Sequence, residues 1–347
     1  MAHGEYGPKL SRAADVLVRD LMCVKRGESL LIAADTGTDR AAVEALQDSG
    51  YRQGAKVASL ILAPQLPFQG ALADEYMPSH VRAAINECDV CIDLCFPYLA
   101  GSKAYDHAMH NNRTRYFLGA DVGTEELIRL MGKVDLDTLL EVGDVFGAYV
   151  QEHTGKECRI TTREGTDVTF ALAKPDGLGL AKATKPGGYF MPGTVLLLPE
   201  LKSVEGTIVV RHFFHEYYTE SAEPVTLKIK GKVQDVIGGG SEHKVMRRSI
   251  ARAGNGDYGY VVHFTCGIHP AARLTGKSFM EDQRVMGSNA VGLGLPPWEP
   301  GGGENHPDIV FTMQSIWIDG QPIVKDGVVV GPPHLREAMK KLQPVFT

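Results

Sequence analysis

The sequence predicts an α/β domain with a mainly parallel sheet over residues 1–150, followed by an α+β domain over residues 151–347. In the first part, apolar runs typical of buried strands alternate with segments of helical periodicity. Near residue 150 this alternation stops, and β-rich segments separated by glycine-containing turns follow. A length of 347 residues also favours two domains, since a single core rarely grows past roughly 250 residues.

The first part begins with a predicted helix over residues 10–24, whose apolar positions repeat at helical spacing. Thr38-Asp39 predicts the cap of a second helix that runs through Leu46, and further helices are predicted at 80–87 and 124–131. The predicted strands are 29–34, 56–62, 89–95 and 114–119. Strands separated by crossover helices are typical of a parallel sheet with helices on both faces.

The second part is predicted to be richer in strands than in helices. The predicted strands before the final hairpin are 159–162, 167–172, 207–210, 225–229, 261–265 and 309–313. One helix is predicted from Glu242 to Ala253. Residues 316–324 predict a β-hairpin, because Asp319-Gly320 at its centre is a dipeptide that favours a tight turn.

Composition excludes several classes of function. The formal net charge is −6, and an acidic chain without a basic run has no broad electrostatic reason to bind nucleic acid. The N-terminus lacks the charged start and apolar segment that are typical of a secretory signal. The apolar runs of the sequence are far shorter than the roughly 20 residues of a membrane span. We therefore expect a cytoplasmic protein that binds neither nucleic acid nor membranes.

Three of the six cysteines lie close together, at Cys88, Cys91 and Cys95. The segment around them is typical of a buried strand, in which cysteine behaves as a small hydrophobic residue. No second cysteine pair has the spacing that would complete a zinc site. The sequence therefore favours a structural role for these thiols, in a reducing compartment.

The string Glu304-Asn305-His306-Pro307-Asp308 leads into an apolar strand and is the most informative motif. On a strand, residues i and i+2 point to the same face, so His306 and Asp308 can approach one ion. His263 interrupts another apolar strand. Two imidazoles and one carboxylate form the set that holds non-haem Fe(II) and leaves positions open. Spacing alone leaves two alternatives open. His306 and Asp308 could simply lie at the solvated start of a strand, and His263 could be a core histidine that is hydrogen-bonded to the backbone.

Other side chains are weaker candidates for chemistry. His212 and His215 would fall on opposite faces of an extended strand, and Tyr189 is predicted on a Gly/Pro-rich loop from which its hydroxyl could donate to a substrate. Each of these residues also fits ordinary packing. The sequence contains no P-loop, dinucleotide fingerprint or nucleophile elbow.

Several short sequence motifs follow one another in a characteristic order in the C-terminal half. They are Met191-Pro192-Gly193, Glu205-Gly206-Thr207, His263 within its strand, Gly267-Ile268-His269-Pro270, Asn289 with Gly294, His306-Pro307-Asp308 and Val324-Lys325-Asp326-Gly327. As an ordered series over about residues 185–335, they resemble the 2,5-dihydroxypyridine 5,6-dioxygenases. That family shares an ancestral fold with the thermophilic, aminopeptidase T-like metalloaminopeptidases.

The resemblance implies that His263, His306 and Asp308 hold Fe(2+). It implies a ring-cleaving, extradiol-type dioxygenase whose partners are O2 and a small hydroxylated aromatic or N-heteroaromatic substrate, such as 2,5-dihydroxypyridine. It also implies a homo-oligomer. Tyr189, His212 and His215 would then supply hydrogen bonds or transfer protons. Tyr189 stands near the place where the family has a second-sphere histidine, so the ring that is cleaved could differ.

The peptidase branch of the resemblance uses two metal ions and several glutamate ligands. Two of its glutamates would fall near residues 193–195 and before the strand at Tyr260, but this chain has no glutamate there. One of its histidines would fall near residues 289–292, where this chain has no histidine. A pair of divalent ions would then lack bridging carboxylates, so a single-metal site is favoured. An aminopeptidase-like metallohydrolase is the alternative, and a binding or scaffold protein on an inherited enzyme fold is a further one.

Overall fold

The structure is a computed structural model that describes residues 3–63, 70–97, 99–174, 181–214, 217–296 and 306–345. The helices, in chain order, are α1 (His3–Asp15), α2 (Arg40–Arg52), α3 (Ser79–Glu87), α4 (Lys103–His110), α5 (Thr124–Leu127), α6 (Leu136–Glu152), α7 (His243–Ala253), α8 (Phe279–Asp282) and α9 (Pro333–Lys340). The strands, in chain order, are β1 (Ser29–Asp35), β2 (Lys56–Leu62), β3 (Val90–Asp93), β4 (Arg115–Leu118), β5 (Glu157–Thr161), β6 (Asp167–Ala171), β7 (Gly187–Phe190), β8 (Thr194–Leu197), β9 (Glu205–Phe214), β10 (Tyr218–Lys230), β11 (Lys232–Gly238), β12 (Tyr260–Gly267), β13 (Asn289–Gly294), β14 (Asp308–Phe311), β15 (Ser315–Ile318), β16 (Gln321–Lys325) and β17 (Val328–Val329).

The chain forms two compact units that are each built from separate segments. The first unit comprises Met1–Asp137, Leu180–Pro192 and Pro344–Thr347, and the second comprises Thr138–Gly179 and Gly193–Gln343. The segment Leu180–Pro192 thus contributes to the first unit from the second half of the sequence. The domain boundary expected at residue 150 stays a prediction.

The first unit is built on a parallel sheet with the strand order β2-β1-β3-β4-β7. This confirms the prediction of a parallel sheet. The predicted loop around Tyr189 is wrong, because Gly187–Phe190 pairs with β4 as an edge strand, with Tyr189 opposite Phe117. Glycine and proline disfavour sheet interiors, but an edge strand tolerates them since it pairs on one side only.

Two predicted helices of the first unit change their winding before they end. The helix expected at 10–24 consists of α1 followed by a π-helical segment, Val16–Leu21, and α5 likewise continues as Ile128–Gly132 with π-helical winding. Helices α4 and α6 are not among the predicted elements. None of the helices in the described ranges combines the length and apolar character needed to cross a membrane.

The core of the first unit explains the cysteine-rich strand. Cys88, Cys91 and Cys95 are buried free thiols that pack in one hydrophobic cluster with Leu31 and Tyr116. Burial raises the pKa of the Cys95 thiol well above its usual value. A protonated thiol is a weak nucleophile and a poor metal ligand, which agrees with the structural role that the sequence predicts.

The carboxyl group of Asp93, at the end of β3, is buried within the same core. It accepts hydrogen bonds from the backbone N–H of Cys95 at 3.0 Å, the backbone N–H of Leu99 at 2.9 Å and the hydroxyl of Tyr116 at 2.9 Å. Burial nevertheless dominates and raises the pKa of Asp93 to about 6.

We expect Asp93 to make the free energy of unfolding fall as the pH rises from about 4 to about 6. The folded state holds this proton up to about pH 6, whereas the unfolded chain releases it near pH 4, so ionisation costs the folded state about 3 kcal/mol by pH 7. Urea unfolding of the protein and of Asp93→Asn at several pH values measures the slope. An equal slope in both proteins over this window would contradict the assignment.

The second unit is built on an antiparallel sheet of twelve described strands. The path β10-β11-β12-β13-β14-β9 returns to β10, because β9 pairs with both β14 and β10. These strands therefore close into a ring, and β6, β5, β15, β16 and β17 extend the sheet from β9. Closure brings side chains from distant parts of the sequence into one cross-strand row.

The predicted hairpin near the C-terminus is confirmed. Ile318 pairs with Gln321, which leaves Asp319 and Gly320 as a two-residue turn between β15 and β16. Both turn residues have positive φ, at 50° and 73°, as a type I′ turn requires.

Candidate metal centre

One cross-strand row of the antiparallel sheet carries the histidine and the aspartate of interest. His263 on β12 lies opposite Gly292 on β13, Gly292 lies opposite Asp308 on β14, and Asp308 lies opposite Phe214 on β9. Directly opposed residues of antiparallel strands project to the same face of a sheet. The row therefore places the side chains of His263 and Asp308 on one face, on either side of a glycine.

A β-bulge decides the direction of His263. Val261 pairs with Leu293, but the next pair is His263 with Gly292, so Val262 is an extra residue on β12. Regular pairing would place Val262 opposite Gly292 and turn His263 to the other face, because strand side chains alternate. The bulge thus brings the imidazole into the row.

His306 approaches the row from the segment just before β14. The backbone N–H of Leu293 donates to the carbonyl of Pro307 at 2.9 Å, which keeps this segment extended beside β13. His306 and Asp308 therefore project to the same side, as their i, i+2 spacing predicts. Nε2 of His306 lies 3.0 Å from Nε2 of His263 and 3.7 Å from Oδ1 of Asp308, and Nε2 of His263 lies 3.2 Å from that oxygen.

These three atoms have the spacing of a metal site. A triangle with sides of 3.0, 3.2 and 3.7 Å has a circumscribed circle with a radius of about 1.9 Å. Bonds from a small divalent ion such as Zn²⁺ to imidazole nitrogen and carboxylate oxygen are about 2.0–2.2 Å long. A cation just outside the plane of the triangle would therefore reach all three atoms, and the described residues form no other such group of His, Cys, Asp and Glu.

The hydrogen bonding of the trio and the protonation of His306 also fit a cation. Within the described part of the chain, buried Oδ1 of Asp308 and Nδ1 of His263 have no hydrogen-bond partner, although Asp308 is only 2% exposed. Burial lowers the pKa of His306 to about 4. The charge of Asp308 raises this pKa, and the charge of His263 lowers it further. His306 is therefore neutral at pH 7 and can offer a nitrogen lone pair. A buried carboxylate oxygen without a hydrogen bond is costly, and a bound cation would offset that cost.

His212 is a near neighbour of this row. It lies on β9, opposite Val310 on one side and Glu220 on the other. Phe214, two residues further along β9, is opposite Asp308, so His212 projects to the same face as Asp308. Such diagonal neighbours have Cα atoms about 7–8 Å apart. The imidazole lies 3.9 Å from a carboxylate oxygen of Glu220 and stacks with the ring of Tyr218 at a centroid distance of 6.3 Å.

The remaining two predicted residues are His215 and Tyr189. His215 falls outside the described residues. Tyr189 belongs to the first unit, where its hydroxyl donates to the carbonyl of Lys185 at 2.6 Å. Neither Gly292 in this row nor Tyr218 beside His212 is among the site residues predicted from the sequence. No sequence signal identifies either one, because strand register is set by tertiary pairing.

One family model and two solved structures match most of this chain. The model of the family "NicX: 2,5-dihydroxypyridine 5,6-dioxygenase" matches residues 16–331. The solved structure of a 2,5-dihydroxypyridine dioxygenase from Pseudomonas putida KT2440 is similar, with a TM-score of 0.73 and 18% identity over 96% of this chain and 99% of that chain. Wild-type AmpT from Thermus thermophilus has a TM-score of 0.62 and 14% identity over 94% and 100%. A search of the curated proteins finds no significant match.

Proposed function

The chain belongs to the 2,5-dihydroxypyridine 5,6-dioxygenase (NicX) family, and from this premise we propose that it is an Fe(2+)-dependent, extradiol-type, ring-cleaving dioxygenase. The substrate would be 2,5-dihydroxypyridine or a related hydroxylated ring, with O2 as co-substrate. The observation that carries the proposal is the triangle formed by His263, His306 and Asp308. Two imidazoles and one carboxylate are the donor set that suits non-haem Fe(II) with open coordination positions.

The chain's own residues would hold and orient the reacting groups. Iron, when bound, would supply adjacent open positions for the substrate and O2 and would permit reaction between triplet O2 and a singlet ring. His263 and His306 would each contribute an Nε2 lone pair, and Asp308 would contribute one negative charge. Strands β12 and β14 and the extended segment just before β14 would keep these donors in place, as a site with fixed geometry requires.

His212 is proposed to handle protons on the substrate. It lies on the face that carries Asp308, and an imidazole can both donate and accept a proton. The carboxylate of Glu220 and the ring of Tyr218 are neighbours of its imidazole. Tyr189 and His215 are proposed for the same task on the family resemblance alone.

A two-metal hydrolase is less well supported. Bridged metal pairs rely on several carboxylates to compensate the charge of two cations. In the described part of the chain, His263, His306 and Asp308 supply a single carboxylate, and no second cluster adjoins them. The fold similarity to AmpT does not by itself carry its chemistry to this chain.

The proposal is tested by anaerobic reconstitution with Fe(2+), followed by measurement of oxygen uptake. We expect uptake with 2,5-dihydroxypyridine, with one O2 consumed per ring opened, and slower uptake with 2,3-dihydroxypyridine and with hydroquinone. Parallel assays with chromogenic aminoacyl anilides and Zn²⁺, Mn²⁺ or Co²⁺ test the hydrolase. Anilide cleavage without oxygen uptake would overturn the proposal. The homo-oligomer and the cytoplasmic location stay predictions, which light scattering and cell fractionation would check.

A further inference from the structure

We infer that Gly292 is a positioning residue of the metal centre, because only a residue without a side chain lets the two imidazoles converge. This inference rests on the proposed function, since it concerns the same three donors. Gly292 lies directly opposite both His263 and Asp308, and it donates no ligand atom itself. Its contribution is the space that it leaves.

The contacts of a hypothetical Cβ at Gly292 define this space. The three nearest atoms to such a Cβ are Nε2 of His306, Nε2 of His263 and Cδ2 of His263, the last at 2.6 Å. Real Cβ atoms essentially never approach other atoms within 3.0 Å, so both imidazoles would have to move. Two corners of the donor triangle are therefore in contact with the position that a side chain would take.

Backbone conformation does not explain the glycine. Gly292 is absent from the positive-φ glycines of the chain, so an L-residue can adopt its backbone angles without strain. A glycine within a strand interior usually weakens the sheet, and it often marks a close approach of another group. The close approach at this position is that of the two imidazole rings.

The same geometry predicts that the fold and the metal site respond differently to substitution. The clashing atoms are the far ends of imidazole side chains, which can rotate away without moving the strands. Rotation relieves the clash, but it separates two nitrogen atoms that now lie 3.0 Å apart. An alanine at this position should thus keep the fold and lose the metal.

The test compares Gly292→Ala with Gly147→Ala, in which the added Cβ meets no atom within 4 Å. Anaerobic titrations use Fe(2+), and also Co(2+) because its visible spectrum reports the coordinating atoms. For Gly292→Ala we expect the metal affinity to fall at least about 100-fold, no metal-induced rise in Tm, and an unchanged far-UV spectrum and urea midpoint without metal. The Gly147→Ala protein should bind like the unsubstituted chain.

Three outcomes would count against the inference. Unchanged binding in Gly292→Ala would overturn the role of Gly292 and leave the proposed function intact. Absence of binding by the unsubstituted chain would overturn both. If Gly292→Ala does not fold, the substitution is combined with His263→Ala and His306→Ala. Recovery of the fold would confirm the clash with the imidazoles. Continued misfolding of the triple variant would overturn the inference.

Discussion

Replacing His306 with alanine is expected to abolish metal binding and oxygen uptake together. The substitution removes one of three donors, and the remaining imidazole and carboxylate cannot enclose a cation from three sides. Loss of groups that merely support metal ligands typically costs 10–100-fold in affinity or activity, so loss of a ligand should cost more than about 100-fold. Metal content after anaerobic reconstitution and the initial rate of oxygen uptake measure the two effects.

The matched control is His80→Ala, which removes an exposed histidine from α3 and should change neither quantity. The decisive comparison is between metal content and activity in the same preparation. Full metal content with normal oxygen uptake in His306→Ala would refute its role as a ligand. Normal metal content with lost uptake would instead assign His306 to the handling of substrate.

Replacing Asn289 with alanine is expected to lower the free energy of unfolding by about 2–6 kcal/mol. Asn289 is fully buried at the start of β13, where its Oδ1 accepts the N–H of Thr265 at 3.0 Å and its Nδ2 donates to Oε1 of Gln314 at 2.7 Å. Alanine would leave both partners buried without these bonds, and each unsatisfied group costs about 1–3 kcal/mol. Urea unfolding of the metal-free protein measures the loss.

The control for this prediction is Gln234→Ala. The Gln234 amide also makes two hydrogen bonds, to the carbonyls of Lys230 and Lys232, but it is exposed, so water can replace the lost partners. We expect its free energy of unfolding to change by less than about 0.5 kcal/mol. Equal losses in the two variants would show that the buried network around Asn289 does not stabilise the sheet.

We expect Asn289 to link the stability of the second unit to the candidate metal centre. His263 pairs with Gly292 between β12 and β13. Thr265 lies two residues after His263 on β12, and its backbone N–H donates to the side chain of Asn289. The hydroxyl of Thr265 in turn accepts the N–H of Ala290 at 2.7 Å. Loss of this network should loosen the strand that carries His263, so metal affinity should fall together with stability.

The sequence by itself determined the local elements and the chemical character of the donors. Strand periodicity identified β1 to β4, and Asp319-Gly320 identified the turn between β15 and β16, because both signals depend on near neighbours in the chain. The i, i+2 spacing of His306 and Asp308 likewise fixes their shared face within one extended segment. Such signals do not depend on partners far away in the sequence.

Only the tertiary structure decided how the separate segments meet. The bulge at Val262 turns His263 toward Asp308, and Gly292 leaves the space between the imidazoles, because pairing with β13 sets the register of both neighbouring strands. The paired edge strand at Tyr189 has the same origin, since its partner β4 lies about seventy residues earlier. Register, bulges and edge pairing arise from contacts between remote residues, and a pattern read along one strand does not contain them.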